Sequence, residues 1–273
     1  NDNLKKLIKK QKSNFTLDQE FYVDDYIFNL DIKNIFSKQW VFVGHTSRIP
    51  KHGDFFLFNI GKESIIIIRD KDNKIYAHYN VCRHRGSHIC LEESGNKKLL
   101  VCPYHAWSYN LDGSIKSARL MNDDFNKEEW SLNKCNLKIF EGLIFINLSD
   151  KPNDFNEFIA PTKKFIELHG LSNAKIAHRE MYPTNGNWKL TLDNFHECYH
   201  CQPAHPEYCK VHDKEYIIAY GAGSNTGPSS KKFDKILQNW NEKVKKMGHV
   251  TGEYSESEFN DYSRSAERTP LKE

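Results

Sequence analysis

The chain has 273 residues, of which 39 are basic and 36 acidic, giving a net charge of +3; 38% are hydrophobic and 13% aromatic. That length holds one large domain or two ordinary ones, and the aromatic content supplies a core. The charge is too balanced to argue for nucleic acid or a membrane surface as partner. No apolar run approaches the roughly 18 residues that cross a bilayer, and no signal peptide is visible. Seven cysteines, an odd number without repeated spacing, argue against a disulfide framework. They point instead to a reducing cytoplasm.

In chain order, the lysine-rich residues 1–13 read as a solvated terminus, with a short basic helix as the alternative. Apolar positions between Phe21 and Trp40 place a helix over 29–38. From Trp40 the period shortens. WVFVGH, DFFLFNI, ESIIIIRD and KIYAHYNV alternate with turn signals at 51–54, 61–62 and 71–73, the pattern of an antiparallel meander. Further strands are expected at 98–101, 107–110, 114–116, 137–140 and 143–148. Residues 154–169 read as a helix split or kinked at Pro161. A strand over 175–183 and a helix over 188–199 follow. Phe233, Ile236, Leu237, Trp240 and Val244 form the apolar stripe of a last helix, capped by Ser229 or Ser230 and by Gly248. The tail from 254 reads as a polar loop.

Two short Cys–His couples stand out, Cys82-Arg83-His84 and Cys102-Pro103-Tyr104-His105. Two thiolates and two imidazoles imply a metal or cluster site. Zinc sites of this composition usually pair like with like, so mixed couples favour a 2Fe–2S centre with sulfurs on one iron and imidazoles on the other. Structural zinc is the alternative. Imidazole in place of thiolate raises the potential, to about −150 to +300 mV against about −400 mV for all-cysteine ferredoxins.

A second group lies at 187–206, NWKLTLDNFHECYHCQPAHP. Glu197 and His200 share one helix face. His205 lies about 140° further round an ideal helix. A helix ending near Pro203 would bring both imidazoles to one ion. Two imidazoles and a carboxylate with open positions suit iron(II) and dioxygen. The plainer reading is ordinary polar packing of two histidines. Cys198, Cys201 and Cys209 crowd the same stretch, and packing explains them best.

With their flanks Arg85-Gly86 and Ala106-Trp107, the couples resemble the Rieske motif. Asn187-Trp188-Lys189, Asp193-Asn194, Glu197-Cys198-Tyr199-His200-Cys201 and His205-Pro206 resemble the mononuclear-iron motif of Rieske non-haem iron oxygenase α subunits. In detail both resemble the subgroup acting on carnitine, choline, glycine betaine and stachydrine. The resemblance implies an α+β chain: 1–38 as a helical segment of the catalytic part, 39–150 as an all-β Rieske domain, and 151–273 as a partial helix-grip catalytic domain. It implies a 2Fe–2S cluster on Cys82, His84, Cys102 and His105, and Fe(II) on His200 and His205. Glu197, where the family more often has Asp, would bridge subunits of a homotrimer. Asn194 would lie near the iron. A separate reductase would supply electrons from NAD(P)H through flavin, and a small quaternary ammonium compound would be hydroxylated or demethylated with O2. The rival readings are an arene dioxygenase and a non-enzymatic Rieske carrier. No carboxylate after His205, whether Glu207, Asp213, Glu215 or Asp234, sits in a recognisable setting. The third iron ligand is therefore expected beyond Glu273, on a chain that is incomplete and unable to hold the iron well alone.

Overall fold

The computed structural model describes residues 2–12, 15–122, 124–195 and 200–211, with scattered positions between 235 and 247. The chain divides into two compact units, residues 1–183 and 184–273.

The first unit opens with three helices, α1 (Asp2–Lys10), α2 (Glu20–Val23) and α3 (Asp25–Asp31), the last continuing as a π-helical turn over Ile32–Phe36. Of the two readings of the terminus, the structure takes the short basic helix, as α1. Its Leu7 is buried against Phe21 and Ile27, and that contact holds it. The helix expected at 29–38 starts earlier, because Asp24 caps it by accepting from the backbone N–H groups of Tyr26 and Ile27 at 2.7 and 3.1 Å.

Ten short strands follow: β1 (Val41–His45), β2 (Asp54–Ile60), β3 (Glu63–Arg69), β4 (Ile75–Tyr79), β5 (Ser94–Asn96), β6 (Leu100–Val101), β7 (Ser108–Tyr109), β8 (Ile115–Ser117), β9 (Asn136–Phe140) and β10 (Leu143–Asn147). They form three sheets, β1-β10-β9, β4-β3-β2-β5 and β6-β7-β8, and every pairing is antiparallel. The meander therefore holds for β2 to β4, while β1 leaves it to pair with β10. Glu141 and Gly142 turn β9 into β10 with φ of 48° and 78°, as a tight hairpin requires.

Strand β3 explains the layering. Ile65, Ile66, Ile67 and Ile68 are all 0% exposed. Alternation sends Ile66 and Ile68, with Phe55, into one core, and Ile65 and Ile67, with Phe56, into another. The second core faces β1 and β10 through Val43, Ile144 and Ile146. The first core contains Cys82, Cys102, Trp107 and Tyr109. Each buried isoleucine contributes about 2 kcal/mol of transfer free energy, so the wall behind the cysteines is firm.

Helix α4 (Phe155–Leu168) packs Phe155 and Ile159 on Trp40 and Phe145. Asp154 caps it, accepting from Asn156 and Glu157 at 2.7 and 3.0 Å. Pro161 does not split this helix. The strand expected at 175–183 is absent. Those residues form neither strand nor helix, and Met181 and Tyr182 are exposed.

In the second unit, α5 (Trp188–Phe195), α6 (Cys201–Ala204) and α7 (Pro206–Val211) are described. The stripe residues Phe233, Ile236, Leu237, Trp240 and Val244 lie outside the described residues; Lys235, Gln238, Asn239, Glu242, Lys243, Lys245 and Lys246 between them are helical. No described helix is long and apolar enough to cross a membrane.

Candidate metal centres

Two loops of one backbone design carry the Cys–His couples. In the first, the Cys82 N–H donates to the Ser87 carbonyl at 2.8 Å, and the Gly86 N–H donates back to the Cys82 carbonyl at 3.0 Å. In the second, the Cys102 N–H donates to the Trp107 carbonyl at 2.8 Å, and the Ala106 N–H to the Cys102 carbonyl at 3.0 Å. The fourth residue after each cysteine is left-handed, Gly86 with φ of 77° and Ala106 with 59°. A Cβ on Gly86 would meet nothing within 4 Å, so glycine serves the backbone angle there.

Each loop roots its sulfur in the core, with Cys82 and Cys102 both 2% exposed. The two thiols share one buried core. The imidazoles stand toward the rim, His84 half-buried and His105 exposed. Their ring centroids are 4.6 Å apart at 75°. His84 stacks on Trp107 at 4.8 Å and 14°, and Tyr104 covers His105 at 3.8 Å. Partial desolvation, then His84 and Arg85, holds His105 below the ordinary imidazole pKa, which favours the neutral form a metal needs. Burial pushes the Cys82 thiol up, opposed by the Tyr109 hydroxyl 3.4 Å from its sulfur. A buried thiol of that kind ionises when a metal supplies the missing positive charge.

The donors thus divide into a sulfur pair and an imidazole pair. Among the described residues no three His, Cys, Asp or Glu side chains converge on one point. Each iron of a 2Fe–2S centre takes two protein donors, with sulfides filling the rest, and a sulfur pair beside an imidazole pair suits that division. The residues present fit the cluster.

Two supporting residues were not singled out from the sequence. The Tyr109 hydroxyl also accepts from the Arg83 N–H at 3.2 Å, joining β7 to the first loop. The β-run around 107–110 gives Tyr109 as a strand residue but not this contact. Asn80 is fully buried; its Oδ1 accepts from the N–H groups of Ile89 and Cys90, both at 2.9 Å, and its Nδ2 donates to the Cys90 carbonyl at 2.8 Å and to Ser64 Oγ at 3.3 Å. It closes the segment carrying the first loop, and nothing in its spacing announces that.

At the later histidines the helix breaks where proline allows. Pro203 sits in the first turn of α6, where a missing N–H costs nothing. His205 leaves helical geometry, with φ −129° and ψ 61°, and Pro206 starts α7. The break brings the His200 and His205 rings to 5.3 Å between centroids at 82°. Cys201 and Cys209 are buried together with Tyr208 against them, as packing groups. A cavity of about 400 Å³ opens beside His205, bounded by Cys201, Ala204, Glu207 and Tyr208. Asn194 lies exposed on α5. Glu197 and Cys198 lie outside the described residues, as do Asp213, Glu215 and Asp234.

Residues 39–138 match the Rieske [2Fe-2S] domain, and residues 171–269 match the catalytic domain of ring hydroxylating alpha subunits. The chain belongs to the Rieske oxygenase α subunits. Among relatives of this family, it is 39% identical over 206 residues to the glycine betaine monooxygenase oxygenase subunit of Pseudomonas aeruginosa, covering 75% of this chain and 48% of that one. It is 34% identical over 201 residues to the carnitine monooxygenase oxygenase subunit of Escherichia coli K12, covering 71% and 53%. Its fold is similar to that of a quaternary ammonium Rieske monooxygenase, with a TM-score of 0.67 at 33% identity, covering 72% and 55%. It is also similar to naphthalene 1,2-dioxygenase from Rhodococcus sp., with a TM-score of 0.69 at 28%, covering 79% and 52%. The chain spans about half the length of these Rieske oxygenase relatives.

Proposed function

We propose that the chain is the oxygenase component of a Rieske monooxygenase that hydroxylates or demethylates a small quaternary ammonium compound. The observation that carries this is the separation of two sulfurs, inside, from two imidazoles, at the rim, followed in the same chain by the paired rings of His200 and His205. An electron carrier does not need that second pair. The identity to glycine betaine and carnitine oxygenase subunits supports the substrate class.

Cys82, His84, Cys102 and His105 would hold the cluster, and His200 and His205 the iron. Bound there, the cluster supplies one-electron transfer and the iron supplies dioxygen activation. The overall conversion takes a C–H bond, O2, two electrons and two protons to C–OH and water. Hydroxylation beside a quaternary nitrogen gives a hemiaminal, which releases an aldehyde and an amine. Electrons come from a separate reductase carrying flavin and using NAD(P)H. The rim position of His105 suits a hand-over, and Glu197 would bridge His105 of one subunit to His200 of the next in a homotrimer. A carboxylate bonded to ligating imidazoles fixes their orientation and proton. The Tyr109 hydroxyl steadies the Cys82 sulfur. The domains fall at 1–38, 39–150 and 151–273, and the protein works in the cytoplasm.

The test is turnover of glycine betaine, carnitine and choline with a reductase and NADH. Release of formaldehyde or trimethylamine supports the reading; cis-diol formation from an arene replaces it with the dioxygenase one.

A further inference from the structure

We propose that Trp107 is a positioning residue: its buried indole sets the ring plane of His84 and holds it ready for iron, while the plane of His105 is left adjustable. This rests on the cluster reading above. The Cys102 N–H donates to the Trp107 carbonyl at 2.8 Å, so the Trp107 backbone closes the second loop. Left-handed Ala106, with φ of 59°, lies between exposed His105 and Trp107, which is 2% exposed. The imidazole that Trp107 lies against belongs to the first loop. The two rings are nearly parallel, 4.8 Å between centroids at 14°. Two residues on, Tyr109 reaches the same loop. Its hydroxyl lies 3.4 Å from the Cys82 sulfur and accepts from the Arg83 N–H at 3.2 Å. Residues two apart in an extended run share a face. One face of the chain after the second loop therefore holds both donors of the first, Trp107 on the imidazole and Tyr109 on the sulfur.

The indole can impose a plane because its own is fixed. Phe125 and Trp130 both meet it edge-on, at 5.6 Å and 73° and at 5.7 Å and 81°, and they stack on each other at 5.5 Å. Edge-on contact is an ordinary arrangement of packed aromatic rings, so packing accounts for those two neighbours. The flat contact is the one with His84, and a fixed flat ring resists tilting of an imidazole laid on it. His105 is covered differently. Tyr104 lies over it at 3.8 Å but is tilted by 33° and is 59% exposed. Groups that orient a metal ligand from outside also tune the metal.

The experiment reads the two imidazoles separately, in the full chain. In the reduced cluster, pulsed EPR resolves the nitrogen couplings of both. Trp107→Leu should shift and broaden one coupling and leave the other as in wild type. Trp107→Phe, which keeps a flat ring, should restore it, and Tyr104→Leu should leave both at their wild-type values. A general loss of packing would lower cluster content instead, with both couplings unchanged in the clusters that remain. Phe125→Leu/Trp130→Leu frees the indole without removing it and should broaden the same coupling by less. Before iron is loaded, the His84 ring protons, identified by their loss in His84→Gln, should lie upfield through the indole ring current and return to ordinary positions in Trp107→Leu. Two wild-type couplings in Trp107→Leu, or equal changes in both, overturn the proposal. If Trp107→Leu holds no cluster, the Phe125/Trp130 variant decides: one broadened coupling supports the proposal, and two wild-type couplings overturn it. A wild-type chain that takes up no cluster sinks the cluster reading, and this proposal with it. A brown wild-type chain whose Trp107→Leu variant keeps both couplings sinks this proposal alone.

Discussion

The cluster loops and the later histidines are built on opposite plans. Cys82 and Cys102 are embedded in the same core as Ile66, Ile68 and Trp107, and their loops are closed by paired backbone hydrogen bonds. His200 and His205 flank the four-residue helix α6, with Cys201 and Cys209 as the described buried residues beside them. The first site is shaped by the fold before any metal arrives. The second is shaped by a helix break at His205. Preorganisation therefore sits with the two Cys–His loops, and openness with the later histidine pair.

The sharpest way to break that contrast is at the ligands. Cys102→Ser should abolish the visible absorption and the reduced-state EPR signal outright, because a serine hydroxyl does not replace a cluster-ligating thiolate. Next is His200→Ala, which should leave the cluster spectrum unchanged while substrate turnover falls to background. If it also bleaches the cluster, the two sites are not independent. Elemental analysis belongs beside it: two irons per wild-type chain after desalting fits a weak second site, and three retained tightly would show that this site is as preformed as the first.

Smaller effects sharpen the comparison within the first site. Asn80→Ala removes four hydrogen bonds and strands two buried N–H groups, so it should lower stability in urea by about 3 kcal/mol and speed cluster loss. Next, Tyr109→Phe removes one hydrogen bond from the Cys82 sulfur, and at about 1 kcal/mol that should lower the midpoint potential by roughly 40 mV. An unchanged potential would show that the hydroxyl serves only the Arg83 N–H. The smallest effect concerns His78, fully buried behind Gly113 and held below its ordinary pKa of 6.5, chiefly by desolvation. The fold keeps it neutral, so the unfolded chain binds the extra proton as pH falls. Stability is whole above about 6.5 and is lost progressively below it. Replacing His78 with Gln should flatten that slope in urea titrations between pH 7 and 5.

The Cys–His couples were legible because they are a local statement: residue type and spacing are enough. The hairpins β2-β3, β3-β4 and β9-β10 were legible for the same reason, in alternation and turn residues. Asn80, the Trp107 stack on His84 and the departure of β1 from the meander were not, because each is a contact across many residues. Helix α1 came second to a solvated terminus because its lysines outweigh the single buried position, Leu7. The 175–183 run has strand-like residues without a strand beside it, and propensity does not supply a partner.

By itself the sequence determined which atoms can bind metal, in what order along the chain, and that they come as two mixed pairs and one later pair, since side-chain chemistry and loop length are carried by neighbouring residues. Only the tertiary structure decided that the sulfurs face inward and the imidazoles outward, that one ring lies under tryptophan and the other open to solvent, and that His205 swings back toward His200. Burial is a property of what packs from elsewhere, and no stretch of chain holds that information about itself.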